Sequence, residues 1–286
     1  MWELLLEYLM RLKGFIVGNK IHILTLSWNG FSKLNTLKPS LFNNLAELKD
    51  IESIWYIRDN GSKDESVKLI NEWQQNNIKC FDIGHNRDNF SQGVNYLFDK
   101  ACPDDNDLIL LLNNDVEFND NISLNNMVKL MTPEVGAVGA KLLYPKSNKL
   151  QHAGVIFSEQ YGFMPYHFRY GESDDLNSNK NRYFQAVTAA VCLVRASELK
   201  RISGFRTGYS WAFEDVDAML QIGENKKIVY CGQTKITHIE SATIKLNPVN
   251  KLFLQSNVSL FKKNWFGKYE IDHKKYLDNP NYNVIL

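Results

Sequence analysis

The chain has 286 residues, 44% hydrophobic and 23% charged, an ordinary globular balance with length enough for one sizeable core. Lys and Arg number 33 against 32 Asp and Glu, without the basic excess of a nucleic-acid binder. The four cysteines, Cys80, Cys102, Cys192 and Cys231, form no CxxC pair and read as buried free thiols of a reducing compartment.

Residues 1–18 place Trp2, Leu5, Leu6, Leu9 and Leu12 on one side of a helix and Glu3, Glu7 and Arg11 on the other. This predicts an N-terminal amphipathic helix that packs on the protein or a partner, or lies on a membrane surface. No apolar run approaches the roughly 18 residues of a membrane span. Strand-like runs follow at Ile21–Ser27, Ser53–Arg58, Ile78–Ile83 and Leu108–Leu112. Between them lie amphipathic stretches at about Ser32–Lys49, Lys63–Gln75 and Asn89–Ala101, the second opening on Ser62 and Glu65 in capping-box spacing. Such alternation predicts an α/β fold with a sheet covered by helices on both faces, and the five aliphatics Leu108–Leu112 read as its central strand.

Beyond Pro133 the pattern loosens, dividing the chain into a ligand-binding half (19–132) and a second half (133–286) on one continuous sheet. Strands are expected at Gly136–Tyr144, Ala153–Phe157, Ala186–Arg195, Lys227–Cys231 and Lys235–Ile239. Helices are expected at Glu214–Ile222 and Val249–Trp265. Gly171–Arg182 is polar throughout and reads as a mobile loop.

Open α/β sheets bind ligands beyond the carboxyl ends of their strands. The four predicted exits there are Trp28-Asn29-Gly30, Asp59-Asn60-Gly61-Ser62, Gly84-His85-Asn86 and Asn113-Asn114-Asp115. Turn chemistry alone favours such residues; four polar exits side by side suit a binding edge. Neither GxGxxG nor GxxxxGK[ST] is present, which argues against dinucleotide and P-loop sites. A pyrophosphate at this edge would need another counter-charge. Asp115 could hold Mg²⁺ or Mn²⁺, or be a strand-end turn aspartate.

The run from Leu110 through Asn113, Asn114 and Asp115 to Phe118 resembles the DxD-type segment of inverting glycosyltransferases of family 2, which have the GT-A fold. Thr25 to Gly30 and Arg58 to Ser62 resemble that family's first two strand exits. Asn86 to Asn95, with Ser91, Gln92 and Gly93, resembles the helix start after its third strand. Glu214-Asp215-Val216-Asp217 resembles its catalytic acidic motif, and His238 its late metal-side histidine. The likeness runs from Ile21 to Trp265, and order and spacing carry it.

The resemblance implies a GT-A-type, Rossmann-like mixed sheet in a single continuous domain. It implies Asp215 as the base, with Thr25, Trp28, Asn29, Asp59, Asn86, Gly93, Asn95 and Asn114 about the nucleotide sugar. Tyr209, Trp211 and Glu214 would stand on the acceptor side, and Asp115 and His238 would hold Mn²⁺ or Mg²⁺. Asp59 would accept the N3–H of uracil or thymine, a donor that neutral cytosine lacks, which favours a UDP- or dTDP-sugar. Trp28 would stack on the base. His152, within Gln151-His152-Ala153-Gly154, is family-like but has no evident role; His22, His85 and His167 read as structural. Two positions depart from the pattern: Arg58 before Asp59, and Arg206 after Ser203-Gly204-Phe205, where an acid is usual.

The implied activity is transfer of one sugar to a glycan, lipid-linked glycan or glycoprotein acceptor in cell-surface assembly. Its setting would be cytoplasmic, with peripheral contact at the inner membrane face. A sugar-1-phosphate nucleotidyltransferase would want a Gly-rich, basic loop after the first strand, and Gly30 to Lys33 is a poor version. A catalytically inactive glycan-assembly partner would not need both Asp115 and Asp215.

Overall fold

The computed structural model describes residues 20–82, 88–210, 212–239 and 248–285, without the side chains of 248–252. The predicted N-terminal helix, the exit Gly84-His85-Asn86 and Trp211 lie outside the described residues.

The first half runs β1 (Lys20–Ser27), α1 (Phe31–Ala46), β2 (Glu52–Asp59), α2 (Ser66–Trp73), β3 (Ile78–Asp82), α3 (Phe90–Ala101) and β4 (Leu108–Leu112). After it come β5 (Val116–Phe118), α4 (Ser123–Lys129), β6 (Val135–Leu143), β7 (Leu150–His152), β8 (Val155–Ser158) and β9 (Met164–His167). The chain ends with β10 (Arg182–Phe184), β11 (Val191–Arg195), α5 (Ala196–Arg201), α6 (Glu214–Gly223), β12 (Lys227–His238), α7 (Pro248–Trp265) and α8 (His273–Asp278).

Among the described residues ten of these strands form a mixed sheet in the order β10-β12-β6-β11-β4-β1-β2-β3, with β5 on β12 and β7 on β6, while β8 and β9 pair in a separate two-stranded sheet. Every residue of β4 is buried, as its aliphatic run demands. Leu34, Leu37 and Leu41 of α1, Ile70 of α2 and Met127 of α4 pack on one face. Val94 and Leu97 of α3, Met219 of α6 and Phe261 of α7 pack on the other. Strands before and after Pro133 share this sheet.

Two registers position the site. β11 runs antiparallel to β4, so residues 186–190 arrive beside the carboxyl end of β4, where Asn113 N–H donates to the Ala190 carbonyl at 2.8 Å. β12 runs antiparallel to β5 with His238 opposite Val116, which sets His238 beside Asp115.

Several expectations need correcting. The last two predicted strands are one, β12, with a register shift between Cys231 and Ile236 that interrupts its alternation. Gly171–Arg182 is pinned rather than loose. Lys141, 1% exposed, holds both oxygens of Asp174 at 3.0 Å, and Arg169 grips Asp175 at 2.7 Å. A buried ammonium is costly unless matched in this way. The capping box expected at Ser62 and Glu65 does not form. The Ser62 hydroxyl donates to Asp59 at 2.5 Å and Glu65 caps nothing, whereas Asn89 and Gln92 make the reciprocal box at α3. Cys102 is exposed, at the left-handed end of α3.

Candidate active site

The exits of β1 and β2 are tied to each other. Asn29, at φ 46°, donates its N–H to Ser62 Oγ at 2.7 Å and accepts the Lys63 N–H at 2.9 Å. Asp59 is fully buried and accepts the N–H groups of Gly61 and Ser62 at 3.0 and 2.7 Å. Trp28 is half-buried at the end of β1. Asn114 donates to Ser27 Oγ at 2.9 Å. A Cβ on Gly30 would sit 2.4 Å from Ser27 Oγ and 2.5 Å from Asn114 Nδ2, so only glycine lets these exits meet. Arg58 points to the opposite side of β2, paired with Asp88 at 2.6 Å and stacked on Tyr96, leaving the edge undisturbed.

Asp115 and His238 meet as the registers require, with His238 Nε2 3.2 Å from Asp115 Oδ1. Gln151 fixes the ring. Its amide N–H donates to the His238 carbonyl at 3.3 Å, so its oxygen faces His238 Nδ1 at 2.6 Å. Nδ1 therefore donates to Gln151, while Nε2 faces Asp115 Oδ1 and Asn113 Nδ2, each at 3.2 Å. A carboxylate beside an imidazole nitrogen is a donor set that suits a cation, and a ring oriented through its other nitrogen is the usual arrangement around a metal ligand. Among the described residues no third His, Cys, Asp or Glu joins them. Mn²⁺ and Mg²⁺ commonly take one or two protein ligands and complete their shell with phosphate oxygens and water, so the pair fits such an ion. Lys33 of α1 places its ammonium 3.6 Å from Asp115 Oδ2. A cleft of about 410 Å³ opens there, lined by Ser32, Lys33, Thr36, Asp115 and Thr237 among others.

On the acceptor side, Asp215 opens α6 after two successive left-handed residues, Ala212 at φ 69° and Phe213 at φ 72°. Such strain at non-glycine positions gathers at functional sites. Asp215 Oδ2 accepts the Ala189 N–H at 3.2 Å, so the segment before β11 touches both Asp215 and Asn113. Asp215 also borders a cleft of about 180 Å³ with Val155, Pro165, Tyr166, His167 and Phe213. Glu214 differs from its neighbour. Its Oε2 is shut off from solvent without a hydrogen-bond partner, and burial, then the Asp215 charge, push its carboxyl up to about 8.

Four candidates belong to the scaffold instead. Thr25 is buried, and its hydroxyl accepts from Trp55 Nε1 at 2.9 Å. Asn95 is spent on Phe205, donating to its carbonyl and accepting its N–H, both at 2.8 Å. Tyr209 is 1% exposed and donates to Asp217 at 3.0 Å, so it forms no acceptor lip. Asp217 also takes Arg206 at 2.7 Å and Trp265 Nε1 at 2.7 Å, which gives the arginine at 206 its partner. Gly93 is a packing glycine, since a Cβ there would lie 2.6 Å from Leu26 Cδ1. Gly93→Ala should therefore destabilise the fold by about 1–3 kcal/mol in denaturant titration, the usual cost of overpacking, with nucleotide affinity of the folded protein unchanged.

Gln151 and Lys33 carry no motif that marks them in the sequence, and Asn113, though inside the DxD-like run, is given no role there. Gln151 adjoins the His152 already noticed, which is the nearest thing to a signal. His152 is buried, with Nδ1 2.7 Å from His167 Nδ1. Burial, helped by His167 and His238, holds it well below the usual histidine range. His167 lines the Asp215 cleft.

Comparison with known proteins agrees with this fold. Over 200 residues, 68% of this chain, the sequence is 27% identical to the O-antigen biosynthesis protein RfbC of Myxococcus xanthus. The matched region is only 15% of that relative's length. Among solved structures, GalNAc-T7 with UDP, GalNAc and Mn²⁺ superimposes with a TM-score of 0.67 at 12% identity, covering 91% of this chain and 49% of that one. The mannosyltransferase PcManGT of Pyrobaculum calidifontis, with GDP-Man and Mn²⁺, gives 0.58 at 13% identity, covering 90% and 69%. At such identities the likeness is one of fold. The sequence model for glycosyl transferase family 2 matches residues 34–194, more than half the chain, and the chain belongs to that family.

Proposed function

We propose that the chain is a metal-dependent, inverting glycosyltransferase that moves a single sugar from a UDP- or dTDP-sugar to an acceptor hydroxyl in cell-surface polysaccharide or glycoprotein glycan assembly. The observation that carries this reading is the Asp115–His238 pair, its ring oriented by Gln151 at the carboxyl edge of the sheet, with Asp215 joined to the same edge through Ala189 and Ala190. The O-antigen assembly named for the Myxococcus relative supports the setting.

Asp115 and His238 would hold Mn²⁺ or Mg²⁺, which supplies positive charge to stabilise the departing nucleoside diphosphate. Asp215 takes the proton of the acceptor hydroxyl as its oxygen attacks the anomeric carbon. The bond from that carbon to the diphosphate oxygen breaks on the opposite face, which inverts the configuration. Glu214, whose carboxyl keeps its proton at neutral pH, is the poorer acceptor of the two. No helix among the described residues is long and apolar enough to cross a membrane.

The test is a thermal-shift screen of UDP-, dTDP- and GDP-sugars with Mn²⁺, the last because a structural neighbour holds GDP-Man. A true donor at a hundredfold excess over its Kd should add about 2.7 kcal/mol of stability. Asp59→Asn then probes the base. It can still accept the Gly61 and Ser62 amides but offers an N–H where uracil or thymine also has one. UDP or dTDP binding should weaken by ~1.5–3 kcal/mol, the value of a hydrogen bond to a charged group. Unchanged affinity would take Asp59 out of the base pocket, and a screen in which no nucleotide sugar stabilises the protein would sink the donor assignment.

A further inference from the structure

Three features of the metal edge meet at Lys33. The first is the start of α1, where exposed backbone N–H groups usually receive phosphate. Two of those amides are already taken: Gly30 N–H donates to Ser66 Oγ at 2.9 Å and Phe31 N–H to Asp64 at 3.1 Å. With those two spent, the helix start has less to offer a diphosphate, and a side-chain charge beside it gains in value. The second is charge balance. A nucleotide sugar's diphosphate carries about two negative charges, and Asp115 adds one, so a divalent cation leaves about one uncompensated before the leaving group develops more. The third is position. Lys33 lies in the first turn of α1, its ammonium 3.6 Å from Asp115 Oδ2, and it lines the cleft of about 410 Å³ beside that carboxylate. Lys146, the other cation lining the cleft, is exposed.

We propose that Lys33 is an exchangeable counter-cation: it neutralises Asp115 while the metal is absent and turns onto the diphosphate when metal and nucleotide bind. This rests on the Asp115–His238 metal reading and goes beyond it. A lysine suits the task because its charge rides on a flexible four-carbon stem and follows either anion without a fixed fork geometry. The consequence is coupling. Metal arriving alone must displace an ion pair, whereas metal arriving with a diphosphate gives the displaced ammonium a new partner. Each ligand therefore strengthens the other, and by linkage the strengthening is mutual.

The experiment measures Mn²⁺ binding to the full chain from the EPR signal of free Mn²⁺. It is run without nucleotide and with UDP, dTDP or GDP, whichever binds best. Lys33→Met is expected to bind Mn²⁺ alone about threefold or more tightly, and nucleotide in the presence of Mn²⁺ about tenfold more weakly. Lys33→Arg should keep the charge and recover most of the nucleotide affinity. Matched circular dichroism and melting curves establish that the variants are folded. Nucleotide affinity unchanged in Lys33→Met overturns the proposal, as does Mn²⁺ affinity unchanged without nucleotide; where Mn²⁺ alone binds too weakly to titrate, the nucleotide arm decides. Asp115→Asn separates the two levels. If it abolishes Mn²⁺ binding while Lys33→Met behaves as wild type, the counter-cation role alone falls. If Asp115→Asn binds Mn²⁺ normally, the metal assignment falls and takes this proposal with it.

Discussion

Asp215→Asn should lower transfer by about 10²–10⁴-fold, the usual cost of losing a general base, while nucleotide-sugar affinity stays within a few-fold of wild type. The variant keeps the shape of the side chain. Its oxygen can still accept the Ala189 N–H that Asp215 Oδ2 holds at 3.2 Å, so the segment before β11 stays in place. What it loses is the ability to take a proton. Donor binding should hardly respond, because the proposed nucleotide edge is built from β1, β2 and β4 while Asp215 opens α6 beside the Tyr166–His167 cleft. Glu214→Gln is the paired control, and its turnover should fall much less. It should also flatten the pH profile of stability. The folded chain holds the Glu214 proton up to about 8, whereas the unfolded chain releases it near 4.5, so the wild type loses stability as pH rises through that window. A neutral glutamine has no such loss. Turnover of Asp215→Asn near wild type, with a collapse in Glu214→Gln, would transfer the base to the neighbour.

The fold was legible through β4 because its strands alternate with amphipathic helices, although only Ile78 of β3 is buried. β4 was read at its observed bounds, its five residues being uniformly apolar. Beyond β4 the fold was legible only where elements are long. β5, β7 and β10 have three residues each, too short for a period, and their pairing on β12 and β6 is set by tertiary contact. Gly171–Arg182 looked loose because its partner, Lys141, lies 33 residues from Asp174. Of the candidate site, the sequence pattern marked the ends of β2 and β4 and the start of α6, where the proposed residues sit on one short motif. It overreached at Asn95 and Tyr209, whose polar atoms are consumed by Phe205 and Asp217 at distances no motif encodes. It also missed Gln151 and Lys33. Their roles arise from pairing β7 on β6 and from the approach of α1 to β5.

Asp115→Ala should lower transfer by about 10²–10³-fold, the loss typical when one preorganised charge partner of a leaving group is removed, and excess chelator on the wild type should do the same. The fold should survive, because Asp115 contributes to the sheet through its backbone. Its carbonyl accepts the Ile239 N–H at 3.0 Å, which alanine preserves. The side chain instead faces His238 and Lys33, at 3.2 and 3.6 Å. A lost ion pair with Lys33 is a rival account of any defect in this variant, so chelation alone is not enough. Gln151→Leu resolves it. Gln151 bonds His238 on the side away from the carboxylate, and its removal frees the imidazole to turn or to move its proton to Nε2. A metal site should then lose about 10–100-fold in Mn²⁺ affinity, as other sites do when the partner orienting a ligand is cut. A Lys33–Asp115 ion pair would not notice the change. Wild-type Mn²⁺ affinity in Gln151→Leu would remove His238 from the metal's shell, and transfer at full rate under chelation would remove the metal altogether.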